Sequence, residues 1–132
     1  MQRHRFTTPY LLALALGLWF APASAGAGIA KIAWDPAGTH EESFSVGPKE
    51  PHEVCGRLDA GTRVRWRFEG DQPTDFNIHH HVGRDVLFAA QENGSRGAEG
   101  RFEAKETQDY CWMWSRKAGP AAAVRLRLER ER

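Results

Sequence analysis

Between Arg63 and Glu69 the chain alternates without interruption: Val64, Trp66 and Phe68 are apolar, and Arg63, Arg65, Arg67 and Glu69 are charged. A strand turns successive side chains to opposite faces, so this order places every apolar group on one side and every charge on the other; a helical period would mix them. The C-terminal stretch repeats the pattern, with Ala122, Val124, Leu126 and Leu128 set against Arg125, Arg127 and Glu129. Two half-apolar strands need a second layer to cover them. No segment of the mature chain has a persuasive helical period, and six to eight short strands are expected. The fold class that follows is all-β, an antiparallel sandwich or barrel.

Turn-forming residues divide the rest. Asp35-Pro-Ala-Gly38 reads as a turn, Gly47-Pro-Lys-Glu-Pro51 as a loop, Gly70-Asp-Gln-Pro73 as a turn and Lys117-Ala-Gly-Pro120 as another. The three glycines between Asn93 and Gly100 read as an exposed loop. Strands are expected around Ile29 to Trp34, Glu41 to Val46, Phe76 to His81, Val86 to Ala90, Arg101 to Ala104 and Gln108 to Trp114. Val82-Gly-Arg-Asp85 would join two of them as a hairpin.

The first 25 residues read as an address. Met1-Gln-Arg-His-Arg5 is basic, Tyr10 to Phe20 is apolar and Ala23-Ser-Ala25 is a small-residue cleavage site. Eleven apolar residues are too few to span a bilayer, which needs about twenty. The expectation is a signal peptide over 1–25, N-terminal leader strands over 26–45, and one sandwich domain over 46–132, exported to the periplasm or beyond the cell, with no membrane span. Without Arg3 and Arg5 the 18 basic residues fall to 16 against 17 acidic ones. A near-neutral chain is not suited to nucleic acid, which requires clustered Lys and Arg. Glu69 and Glu129 are expected to neutralise the arginines that line the two alternating strands.

Two cysteines in an exported domain imply a disulfide, here Cys55 with Cys111. Closing the 57 residues from 55 through 111 is worth about 4 kcal/mol in the chain-entropy model. If that bond sits between sheets in the core, Cys111 and Met113 point inward, and Tyr110, Trp112 and Trp114 face outward as a candidate binding surface.

Thr74 to His81 supplies the remaining chemistry. Asn77, His79 and His81 share one strand face and His80 takes the other. Asn77, His79 and His81 are therefore candidate binding residues beside the aromatic strand. His79 and His81 could also present two imidazoles to a copper or zinc ion, with further ligands required from elsewhere, such as His40 or His52. The competing reading is a polar outer face with one core histidine, His80, and it is favoured because two ligands alone do not make a site. A blue-copper centre would need a free Cys111 thiolate and a following histidine, and neither is expected. No nucleophile-elbow motif is present, so no catalytic residue is assigned.

Cys55 followed by Leu58, Gly61 and the Val64-Arg-Trp-Arg-Phe68 strand, then Gly100-Arg-Phe102 and Tyr110-Cys-Trp112, resembles the GOLD domain. The resemblance covers about Val46 to Glu129 and implies a disulfide-stapled, GOLD-like or jelly-roll-like β-sandwich that is a non-enzymatic interaction module. The chain departs from the family at Ser115 and Arg116, where an Asn is common, and it ends without the coiled coil and membrane helix of the cargo receptors. The function expected is an exported, non-enzymatic module that binds a protein or small ligand without a cofactor. The alternative is a periplasmic copper- or zinc-binding protein using His79 and His81.

Overall fold

The computed structural model describes residues 28–132; the signal peptide and cleavage site expected from the sequence lie outside them. Seven strands and no helix make up the described residues: β1 (Gly28–Lys31), β2 (Thr39–Val46), β3 (His52–Leu58), β4 (Arg63–Val82), β5 (Asp85–Glu103), β6 (Gln108–Ser115) and β7 (Ala122–Arg130). The all-β expectation holds. No helix among them is long and apolar enough to cross a membrane.

Hydrogen bonding orders the strands β1-β3-β6-β4-β7-β2, with β5 along the other edge of β4. Only the β1–β3 pair is parallel. The two ends of β4 take different partners on one edge: Val64 to Gly70 pairs with β7, and Asp75 to His79 pairs with β6. β4 thereby runs through both layers of a sandwich. One layer is β2-β7 with the first half of β4, and the other is β1-β3-β6 with the second half.

The register shifts between Glu69 and Thr74, where β4 changes layers. Gly70-Asp-Gln-Pro73 is thus a bend inside one long strand rather than a turn between two. The glycine-rich stretch from Asn93 to Gly100 is likewise strand and not a loop, because it pairs with β4 across the same bend. Its glycines answer to local geometry. Gly94 has φ 61°, and its N–H donates to Asp75 Oδ1 at 2.9 Å. A Cβ on Gly100 would lie 2.7 Å from the Trp66 ring, so only glycine lets the indole lie flat against β5 there. The Asp35–Gly38 turn forms as expected, closed by Gly38 N–H donating to Asp35 O. β2 is integral to the sheet, paired with β7 from Thr39 to Val46.

Between the layers lie Phe44, Val54, Val64, Trp66, Phe68, Phe76, Ile78, Phe102, Tyr110, Trp112, Trp114, Val124, Leu126 and Leu128. Trp112 and Trp114 are 0 % exposed and Tyr110 is 2 % exposed. The outward aromatic surface is therefore corrected: all three side chains are core. The cause is the disulfide. Cys55 and Cys111 are directly opposed on the neighbouring strands β3 and β6, with Cα atoms 4.1 Å apart, so the bond lies within one layer and on its outer face. Period-two alternation then sends Tyr110, Trp112 and Trp114 inward.

The charged faces of the alternating strands neutralise one another. Arg127 pairs with Glu41 and Glu129, Arg67 with Glu69, and Arg65 with Glu129 and Glu131 at 3.8–3.9 Å. Such exposed pairs add little stability.

Candidate functional site

β6 pairs with β4 only as far as His79 opposite Cys111. Beyond that point β4 and β5 continue as a hairpin bonded to itself, with His79 opposite Phe88, His80 opposite Leu87, His81 opposite Val86 and Val82 opposite Asp85. Gly83 and Arg84 form the two-residue tip. Gly83 has φ 60°, the left-handed first position that a tight hairpin turn requires. The sequence expectation of a hairpin at Val82–Asp85 is met.

Five large apolar side chains are exposed in the described residues, and four of them, Val82, Val86, Leu87 and Phe88, belong to this hairpin. Phe88 is 52 % exposed. Because paired residues share a face, Val86 and Phe88 stand with His79 and His81, and Leu87 stands with His80 and Val82. Both faces of the projection are therefore apolar. The inner face opens into a groove of about 360 Å³, where Phe102 and Tyr110 form the floor beside His80, Val82, Leu87 and Ala89. Val86-Leu87-Phe88 was the missed signal: consecutive apolar residues on a strand leave neither face polar.

The expected division of the histidines between the two faces holds, but the buried one is His79 and not His80, which is half-buried. His79 Nδ1 lies 2.8 Å from Asn77 Oδ1, and the His79 and His81 rings meet edge to face at 5.3 Å. His80 lies on the other side, its ring 5.1 Å from Tyr110. Asn77, His79 and His81 therefore share one face, but Tyr110, Trp112 and Trp114 are not beside them.

His79 is itself buried, 4 % exposed. Its neighbours on the outer face are Met113 and Glu53, which oppose each other across β6 and β3, and the disulfide. Glu53 Oε2 lies 4.0 Å from His79 Nε2. Glu53 was not singled out from sequence, because only the β3–β6–β4 pairing brings it there. It also lies 3.7 Å from Cys55 Sγ, but a disulfide sulfur has no proton to donate, so this is packing contact. Burial lowers the pKa of His79 below its ordinary 6.5; Glu53 opposes that shift, and His81 and His80 add to it.

His40 and His52, the other two histidines among the described residues, do not join this group. His40 Nε2 and His52 Nε2 contact the two oxygens of Glu42, at 3.3 and 3.0 Å, and His52 stacks on Phe44. Among the described residues, the close group of potential ligand atoms is Glu53, His79 and Cys111, and Cys111 is spent in the disulfide. A blue-copper thiolate is thereby removed.

No protein-family model matches the chain, and no curated protein sequence matches it. Solved structures do. The chain is similar to the Aeromonas hydrophila PliG, a periplasmic inhibitor of g-type lysozyme, with 12 % identity, 78 % of this chain and 96 % of that one covered, and a TM-score of 0.63. The Salmonella Typhimurium PliG, also a periplasmic g-type lysozyme inhibitor, matches at 8 % identity over 78 % and 97 %, with a TM-score of 0.59. The pre-peptidase C-terminal domain of Bacillus anthracis collagenase matches at 13 % identity over 77 % and 95 %, with a TM-score of 0.56. At such identities the likeness establishes the β-sandwich-like fold. The GOLD type is not among these neighbours.

Proposed function

We propose that this chain is an exported, non-enzymatic protein-binding module and that the β4–β5 hairpin is its binding element. One observation carries the reading: a projecting two-stranded ribbon is apolar on both faces, with Val86 and Phe88 on one and Val82 and Leu87 on the other. Burying one face would suit a flat partner. Burying both requires a concave one, so the partner is a protein with a cleft that admits the ribbon. Two of the structural neighbours are periplasmic inhibitors of an enzyme, which supports this class. Export agrees with the disulfide. A GOLD-type origin, resting on Cys55, Cys111 and the late aromatic strand, belongs to the same non-enzymatic class and remains a proposal about ancestry. The comparisons offer no support for copper or zinc carriage as the function.

A g-type lysozyme is the first partner to test, by titrating the protein into a cell-wall lysis assay and measuring binding on an immobilised chain. Inhibition by the native chain and its loss in Leu87→Ser/Phe88→Ser are the expected results. Absence of inhibition removes lysozyme as the partner. Inhibition or protein capture that persists undiminished in the double variant removes the hairpin as the binding element.

A further inference from the structure

We propose that Glu53, His79 and His81 form a site for one Zn²⁺ or Cu²⁺ ion on the outer face of the β3-β6-β4 layer. Three observations converge. First, Asn77 Oδ1 accepts a hydrogen bond from His79 Nδ1 at 2.8 Å, which places the ring proton on Nδ1 and leaves a lone pair on Nε2. A partner on the far nitrogen is how proteins orient a ligating imidazole. Second, that lone pair faces Glu53 Oε2 across 4.0 Å, too far for a hydrogen bond, with no proton at Nε2 to donate. The neighbouring sulfurs offer Glu53 no donor either. Two electron-rich atoms face each other, and a shared cation satisfies both.

Third, the spacing suits an ion of this class. Zinc sits about 2.1 Å from imidazole nitrogen and carboxylate oxygen, so donors up to roughly 4.2 Å apart can share it. Closing to a tetrahedral angle draws the donors to about 3.4 Å, a movement of roughly half an ångström that a part-exposed glutamate can make by side-chain rotation. His81 is the third donor. In the structure its ring packs edge to face on that of His79 at 5.3 Å, outside the close Glu53–His79 pair of ligand atoms, so it joins them by rotation of its exposed side chain. Water would complete the coordination. Imidazole and carboxylate together suit zinc and copper(II), whereas calcium and magnesium take oxygen donors. The site shares His81 with the β4–β5 hairpin, on the face that carries Val86 and Phe88, but takes no ligand from the apolar side chains Val82, Val86, Leu87 and Phe88.

Isothermal titration of the untagged protein, disulfide intact, with Zn²⁺ and separately with Cu²⁺ tests the site. One ion per chain is expected. Glu53→Gln and His81→Ala, at part-exposed and exposed positions, should each weaken binding by at least about tenfold, and Asn77→Ala by about 10- to 100-fold through the lost orientation of His79. His80→Ala, on the opposite face, should bind as the native chain does. No heat of binding in the native protein overturns the proposal. So does undiminished binding in Glu53→Gln or His81→Ala, because it would place any ion elsewhere. His79→Ala adds a fifth variant where circular dichroism shows that it folds.

Discussion

The rings of Trp66 and Phe76 lie 5.0 Å apart although both residues belong to β4. A straight strand rises about 3.3 Å per residue, so positions this far apart on it cannot touch. The bend at Gly70 to Pro73 folds the strand across the core, and Phe68 meets Phe76 at 4.8 Å by the same route. Phe76 also packs on Trp114 at 5.1 Å and Phe68 meets the same ring edge-on at 5.6 Å, which ties both halves of β4 to β6.

Trp114→Ala is therefore expected to cost about 3–5 kcal/mol, the range for deleting a large buried aromatic. Trp112→Ala falls in the same range, since both side chains are fully buried. Urea unfolding followed by circular dichroism measures this. Changes below about 1 kcal/mol would show that these indoles are not core.

Gly100→Val should destabilise by about 1–3 kcal/mol, because a side chain there collides with a ring that is itself held in the core. Adding Trp66→Leu should recover part of the loss by making room. Equal unfolding midpoints for the native chain and Gly100→Val would contradict the close approach.

Replacing Cys55 and Cys111 together by Ala should lower stability by about 4 kcal/mol through the denatured chain. The bond lies on the outer face, so the folded core is expected to keep its packing. Near-ultraviolet dichroism from the buried tryptophans should match that of the native protein below the new midpoint. A collapsed aromatic signal under folding conditions would mean that the disulfide also supports the interior.

The burial of His79 sets the sign of a pH dependence. Burial holds its folded pKa below the ordinary 6.5, so the unfolded chain binds its proton more readily than the folded one. Its contribution is complete above 6.5 and is lost as pH falls from there toward the folded value. Stability measured at steps from pH 7.5 to 5 should decline more steeply for the native chain than for His79→Gln. Parallel curves would show that His79 does not titrate differently on folding.

The sequence by itself determined the all-β class, the hairpin turn at Gly83, the pairing of Cys55 with Cys111 and the split of His79 and His81 from His80. Each of these rests on local periodicity, turn chemistry or a cysteine count. Whether Gly70–Pro73 bends a strand or ends one was not legible there, because it depends on which partners β4 finds on either side. The face of the disulfide was equally hidden. A bond between sheets and a bond between adjacent strands draw on the same two cysteines, yet they send Tyr110, Trp112 and Trp114 to opposite sides. Only the pairing of β3 with β6 and of β6 with β4 decided that these aromatics fill the core and that Glu53 meets His79, and the end of the β6 pairing at His79 leaves Val82, Val86, Leu87 and Phe88 exposed.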